Sequence, residues 1–537
     1  MNNKFKNPLL SGFYPDPSIC RVGDDYYMVT SSFVYYPGLP IFHSKDLIHW
    51  EQIGHGIHRV DQLDYKNCET SLGLWAPTIR YNNGKFYIIN TFVSEGREAR
   101  RDNYVIMADR PEGPWSDPIF VEGADGIDSS LFFDDDGRVW YAGNFICEEA
   151  LYEGHHGIYL CELDPETFQF KGERTVIWDG NTSRSKWIEA PHIYKINGYY
   201  YLMVAEGGTF TNHSIMFARS KNIQGPYEVC PRNPVVSHRH LPLAREISVV
   251  GHGDFFETQN GEWWMVCLAV RPYEPLDPNK YDTRDYGSIY YNLGRETYLM
   301  PMTWLEDGWP LAASENGIVN MYERRPNLPD YPVPMADAND NFEDTELKMI
   351  WNTIHPPVNQ FYSLTEREGY LRLQLIKESM NEICTPAFIG RRQQHMDCLV
   401  KTAMEFTPNA DNEEAGIVLE QDDRFYLSFT KTKKDGQTIL RVSKTERSQT
   451  EVIAEVPVDE SKKRIYLSVQ GNTNTYAFYY GYKESEMIPC AENVDAAILS
   501  CSLNEGFTGT YIGMYATANG KECDNVADFD WFNYVGK

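Results

Sequence analysis

Trp187-Ile-Glu-Ala-Pro-His-Ile-Tyr-Lys-Ile-Asn-Gly-Tyr-Tyr-Tyr201 is an apolar run, an Asn-Gly turn and an aromatic run. That order reads as strand, tight turn, strand. The pattern recurs four times. Tyr14-Pro-Asp-Pro-Ser-Ile19 leads through a polar turn to Tyr26-Tyr27, and Trp75-Ala-Pro-Thr-Ile79 leads through Asn82-Asn83-Gly84 to Phe86-Tyr87. Ile127-Asp-Ser-Ser-Leu131 leads through Asp136-Gly137 to Trp140-Tyr141, and Gly251-His-Gly-Asp-Phe255 leads through Asn260-Gly261 to Trp263-Trp264. The turn glycines at 84, 137, 198 and 261 are spaced by 53, 61 and 63 residues. One hairpin per unit at that period predicts a five-bladed β-propeller.

The five copies align on Ile19, Ile79, Leu131, Ile193 and Phe255. Three residues earlier stand Asp16, Ala76, Asp128, Ala190 and His252; four residues earlier stand Pro15, Trp75, Ile127, Glu189 and Gly251. If each copy is an innermost strand, Asp16, Asp128, Glu189, His252 and Trp75 meet at one axial funnel. Taken singly, each acid suits a turn or a strand end. Their shared repeat position makes them a candidate site.

Two carboxyl groups facing each other across a sugar suffice for glycoside hydrolysis, one as acid and one as base or nucleophile. Asp16 is held between Pro15 and Pro17, which keeps a short carboxylate still. Glu189 has the longer arm and follows apolar Trp187 and Ile188, surroundings that raise a carboxyl pKa. Asp128, if close, raises it further.

The chain has 537 residues, a length for more than one domain. A net charge of −28 argues against a nucleic-acid groove or an anionic membrane as partner. Eleven cysteines without a CxxC spacing suggest reduced thiols and a cytoplasmic setting. No apolar signal core and no membrane-length apolar run is evident. Residues 1–325 carry the repeats; Pro326, Pro329, Pro332 and Pro334 mark a linker over 326–339; residues 340–537 are a second all-β segment. In that segment Phe425–Phe429, Ile465–Val469 and Tyr476–Tyr480 alternate with period two, which predicts a β-sandwich.

The first domain resembles glycoside hydrolase family 43, in the β-xylosidase branch that carries a concanavalin-like C-terminal sandwich. The motifs are Gly12-Phe-Tyr-Pro-Asp-Pro-Ser18, Trp75-Ala-Pro77, Ile127-Asp-Ser-Ser-Leu131, Ile188-Glu-Ala-Pro-His192, Gly251-His252 and Leu293-Gly-Arg-Glu-Thr297. The resemblance implies Asp16 as general base, Glu189 as general acid and Asp128 as the carboxylate that tunes it. It implies Arg295 as a contact to sugar hydroxyls and to the tuning carboxylate. It implies Phe33 and Trp75 as walls of the first sugar pocket, and Phe507, in Gly506-Phe-Thr-Gly509, as a residue lent by the second domain to close it. His252 resembles an axial histidine near which some relatives hold calcium; no cofactor is otherwise implied. The expected activity is an inverting exo-β-xylosidase acting on xylo-oligosaccharides, in a homo-oligomer (dimer or tetramer).

An α-L-arabinofuranosidase acting on arabino-oligosaccharides is the first alternative, because the two pentoses share an outline. An invertase-like fructosidase lacks its Arg-Asp-Pro segment here, and a non-catalytic carbohydrate-binding propeller would not need all three acids. Tyr14 departs from the Asn of the best-known β-xylosidases, and segments 94–102 and 145–157 are charged candidates for the pocket rim.

Overall fold

The computed structural model describes residues 3–94, 100–180, 184–242, 246–277, 289–313, 317–334, 338–504 and 506–537. Five antiparallel sheets, each built around four strands, follow one another along the first 312 residues. Their innermost strands are Ser18–Val22, Gly73–Asn82, Ser130–Phe133, Glu189–Ile196 and Ser248–Glu257. Each inner strand touches the next, and the fifth touches the first, so the ring is closed. The chain start completes the closure. Asn7 donates to the Leu299 carbonyl at 2.9 Å and accepts from the Leu299 amide at 3.0 Å, and Lys4–Lys6 pairs with Tyr322–Arg324.

The hairpin turns follow from their residues. In blades 2 and 4 the two turn residues lie at positive φ, Asn83 at 48° and Gly84 at 84°, Asn197 at 49° and Gly198 at 74°. Asn and Gly tolerate that region, and the resulting turn matches the twist of the strands it joins. Blades 3 and 5 depart from this. Phe133 pairs with Val139 and Glu257 with Trp263, leaving five-residue loops in which Asp134 and Thr258 bind the backbone across the turn. At the periphery, Trp50, Trp115 and Tyr227 each send a polar atom back to the carbonyl of Leu47, Pro111 and Ile223, closing the outer corner of three blades.

The described residues 326–334 of the Pro-rich stretch carry no regular strand, but they are tied down. Asn327 donates to Glu262 at 2.7 Å and Tyr331 to Asp46 at 2.8 Å. Beyond it, Asn339–Asp340 joins the second body, a sandwich of two antiparallel sheets. Alternate residues face inward, as period-two strands require. Leu371, Val400, Ile417, Phe429, Leu467, Phe478, Met514 and Phe529 are fully buried between the sheets. Among the described residues, helix is limited to short turns such as Ala496–Leu499 and Cys501–Asn504.

The two bodies share a packed seam. The rings of Tyr35 and Tyr511 stack with centroids 3.7 Å apart, and Arg392 donates to the Phe13 carbonyl at 2.6 Å. Thr353–Ile354 pairs with Tyr35–Tyr36 of the first blade. Gly509 packs so closely on Leu293 that an added Cβ would lie 2.5 Å from the Leu293 carbonyl oxygen.

Candidate active site

Asp16, Phe33, Trp75, Asp128, Glu189, His252, Arg295 and Phe507 all line one well at the mouth of the propeller axis. Local backbone explains how four blades aim side chains there. Asp16, Asp128, Ala190 and His252, at the same place in the repeat, have φ of 55°, 56°, 50° and 45°. This left-handed kink breaks the alternation of the strand. In blades 4 and 5 it is accompanied by bulges, between Glu189 and His192 and between Ser248 and Gly253. Three copies put a polar side chain on the kink itself. In blade 4 Ala190 takes the kink, and Glu189, one residue earlier, reaches the well with its longer arm.

Asp16 is buried, with both oxygens engaged. Oδ1 accepts from Arg295 Nη1 at 2.7 Å, and Oδ2 accepts from the Ser31 hydroxyl. Burial alone would raise its pKa. Arg295, then His252 and the Ser31 hydroxyl, more than offset that, and Asp16 is held below the ordinary carboxylate range. Glu189 goes the other way. Burial first, then the Asp16 charge, push it up to about 8. Asp128 is also raised well above its ordinary value, by burial and then by Glu189 and Asp16. Asp128 and Glu189 thus form a coupled pair of raised carboxyls opposite Asp16, whose own pKa is lowered.

Two of these relations differ from the sequence expectation. Arg295 pairs with Asp16 rather than with Asp128. The charge acting most on Glu189 is that of Asp16. His252 Nδ1 lies 3.7 Å from Asp16 and 3.9 Å from Asp128, too far for a hydrogen bond, and burial lowers the ring's affinity for a proton.

The wall is aromatic. Phe33 and Phe507 stack at 6.2 Å, and Trp75 meets Phe507 edge-on at 5.8 Å. Phe507 comes from the sandwich. Its amide donates to the hydroxyl oxygen of Ser71, just ahead of the inner strand of blade 2, at 3.0 Å, and its carbonyl accepts from Arg295 Nη2 at 3.3 Å. Arg295 thus ties Asp16 to the wall.

Calcium requires about six to eight oxygen ligands. The carboxylates beside His252 are Asp16, already paired with Arg295, and Asp128. Below it on the axis, Asp254 is paired with the Arg80 guanidinium at 2.8 Å. Among the described residues no group of three or more His, Cys, Asp or Glu side chains is arranged to hold a metal. This donor set does not fit a calcium ion at His252.

Ser31, Thr209 and Arg80 escaped the sequence reading. Thr209 lines the well after Gly207-Gly208, a double glycine at a strand end that marks a close approach. Ser31 sits in an unremarkable Ser-Ser pair. Arg80 carried a signal: a charge on an innermost strand. Of the rim candidates, residues 95–99 lie outside the described residues. The 145–157 segment leans on Trp187, whose amide donates to the Gly154 carbonyl at 2.8 Å. A larger cavity of about 600 Å³, lined by Tyr36, His55, Lys348 and Tyr362, opens between blade 1 and the sandwich and holds none of the axial residues.

The family model described as Glycosyl hydrolases family 43 matches residues 5–310, and one described as Beta xylosidase C-terminal Concanavalin A-like domain matches residues 339–535. The chain is 40% identical over 532 residues to a xylosidase/arabinosidase of Butyrivibrio fibrisolvens, covering 98% of each. It is 37% identical over 534 residues to a non-reducing end α-L-arabinofuranosidase of Bacteroides ovatus, covering 99% of this chain and 94% of that one. The crystal structure of a xylan β-1,4-xylosidase from Bacillus halodurans superposes with a TM-score of 0.90 at 36% identity, covering 99% of both chains.

Proposed function

Because the chain belongs to glycoside hydrolase family 43, we propose that it is an exo-acting β-xylosidase that releases D-xylose from the non-reducing ends of xylo-oligosaccharides with inversion. The observation that carries this reading is the opposed pair: Asp16 held ionised by Arg295 and Ser31, and Glu189 held protonated by burial, in one aromatic-walled well.

Each residue then has a task. Glu189 gives its proton to the glycosidic oxygen as the bond to the anomeric carbon breaks. Asp16 takes a proton from the water that attacks the opposite face of that carbon. Direct displacement needs the two carboxyl groups about 6.5–9.5 Å apart, leaving room for the water. Asp128 holds the proton balance with Glu189 and offers an acceptor to a ring hydroxyl. Arg295 keeps Asp16 charged, and Phe33, Trp75 and Phe507 exclude bulk water around the sugar. Eleven cysteines without a CxxC spacing support a reducing compartment such as the cytoplasm.

A second reading, α-L-arabinofuranosidase activity in the same well, is favoured by the names of the two relatives above. Initial rates of purified protein on the 4-nitrophenyl β-D-xylopyranoside and α-L-arabinofuranoside decide the order. A strong arabinoside preference would reverse it. Proton NMR of the first product from a β-xyloside should show α-xylose; β-xylose would rule out direct displacement.

A further inference from the structure

Arg80 projects from the inner strand of blade 2 and ends among inner strands of blades 1, 4 and 5. Its Nη1 donates to Ser18 Oγ at 3.3 Å, to its neighbour's carbonyl, Ile79 O, at 2.8 Å, and to Asp254 Oδ2 at 2.8 Å. Its Nη2 donates to His192 Nδ1 at 2.7 Å. Asp254 in turn accepts from Ser18 Oγ at 2.7 Å, from the Ile19 amide at 3.1 Å and from the Tyr194 hydroxyl. A side chain that leaves blade 2 and touches blades 1, 4 and 5 must cross the propeller axis.

The contacted residues stand in a fixed relation to the well. Ser18 follows Asp16 by two residues, His192 follows Glu189 by three, and Asp254 follows His252 by two. Each of those strands is kinked or bulged between the two positions, with Asp16, Ala190 and His252 at positive φ. A kinked strand end cannot hold its side chain through ladder bonds alone. It needs an anchor just downstream. The Arg80 fork supplies that anchor to three strands at once, because a guanidinium presents donors in a fixed plane. Asp254 is fully buried, so its charge needs a cation within reach.

Resting on the functional reading above, we propose that Arg80 is a positioning residue that fixes the separation of Asp16 and Glu189. It sits on the axis beneath the well as the cation paired with Asp254. Arg80 touches no substrate. It acts through the strands that carry the base and the acid.

The test uses the full chain with Arg80→Lys, Arg80→Ala and Tyr194→Phe. Arg80→Lys keeps the charge and loses the fork. Its kcat on xylobiose should fall about 10- to 100-fold, with KM little changed, while its melting temperature stays within a few degrees of wild type. Tyr194→Phe, which removes one hydroxyl from Asp254 and leaves the packing, should lose kcat in the same direction but less. In Arg80→Ala, low-millimolar guanidinium should raise both the melting temperature and kcat, and it should do neither in Glu189→Ala. Wild-type melting should be the same with chelator and with added calcium.

Wild-type kcat in both Arg80→Lys and Tyr194→Phe would overturn the proposal, as would calcium-dependent melting of the wild type. A melting temperature of Arg80→Ala that guanidinium leaves unmoved overturns it without reference to activity. A wild type inactive on every pentoside would instead sink the functional reading and leave that thermal test standing.

Discussion

At the scale of single residues, the site is an arrangement of proton affinities. Asp16 has a cation and a hydroxyl to stabilise its charge, and Glu189 has burial and a nearby anion to oppose its own. In the proposed mechanism the active form has Asp16 ionised and Glu189 protonated. Activity should therefore rise as pH climbs through a value below the ordinary carboxylate range and fall through a value near 8, the second limb belonging to the Asp128–Glu189 pair. A pH profile of kcat/KM from 3 to 10 checks this, and an alkaline limb near 5 would contradict the assignment of the acid. Glu189→Ala should lose about 10²- to 10⁴-fold on xylobiose and far less on a substrate whose leaving group is already acidic. Equal losses on both would remove Glu189 from the acid role. The acids were legible because a repeat position exposes them. The Arg295–Asp16 pair was not, because the sequence says that an arginine is present and not which of three carboxylates it meets. Ser31 and Thr209 are ordinary strand-end hydroxyls until coordinates place them.

At the scale of elements, alternation, Asn-Gly turns and period announced the five hairpins. The left-handed kinks at Asp16, Asp128 and His252 did not announce themselves, since non-glycine residues seldom adopt positive φ and no neighbour forces it. Those kinks turn the side chain at a strand end into the well. The loop that carries Phe507 is placed by close backbone contact. An ideal Cβ on Gly509 would lie 2.5 Å from the Leu293 carbonyl oxygen and 2.9 Å from Gly294 Cα. Both contacts are to backbone two residues or fewer from Arg295, so neither side yields easily. Gly509→Ala should displace Phe507 from the well and raise KM several-fold, an effect that Phe507→Ala should reproduce. Steady-state kinetics on the nitrophenyl xyloside will show it, and an unchanged KM in both variants would mean that the sandwich lends nothing to the sugar pocket.

At the scale of the whole molecule, the seam between propeller and sandwich carries its own pH dependence. Glu420 is fully buried there, accepts from the Tyr35 hydroxyl at 2.7 Å and is pushed up to about 8 by burial, with Asp422 and Asp423 adding to it. Asp423, bonded to Thr70 of the propeller at 3.1 Å, is pushed up to about 7 by burial and by Asp422. Unfolded, these carboxyls release their protons near ordinary values; folded, they keep them. Stability contributed by the protonated seam is full below the ordinary value and declines as pH rises toward 8, at about 1.4 kcal/mol per pH unit for Glu420. Glu420→Gln keeps the bond from Tyr35 and cannot ionise, so it should raise the melting temperature at pH 8.5 relative to wild type and change it little at pH 5. A wild type equally stable at both values would refute this. The sequence separated two all-β bodies at the prolines, but strand order in the sandwich and the seam itself depend on pairings hundreds of residues long, which local pattern does not encode. The origin of Phe507 also bears on the order of synthesis. A ribosome delivers all five blades, acids included, before it makes that ring or the strand Val526–Gly536, which pairs on both sides within its sheet. A growing chain therefore displays the acids in a cup with one side missing, and the aromatic wall is completed only by the later-made body.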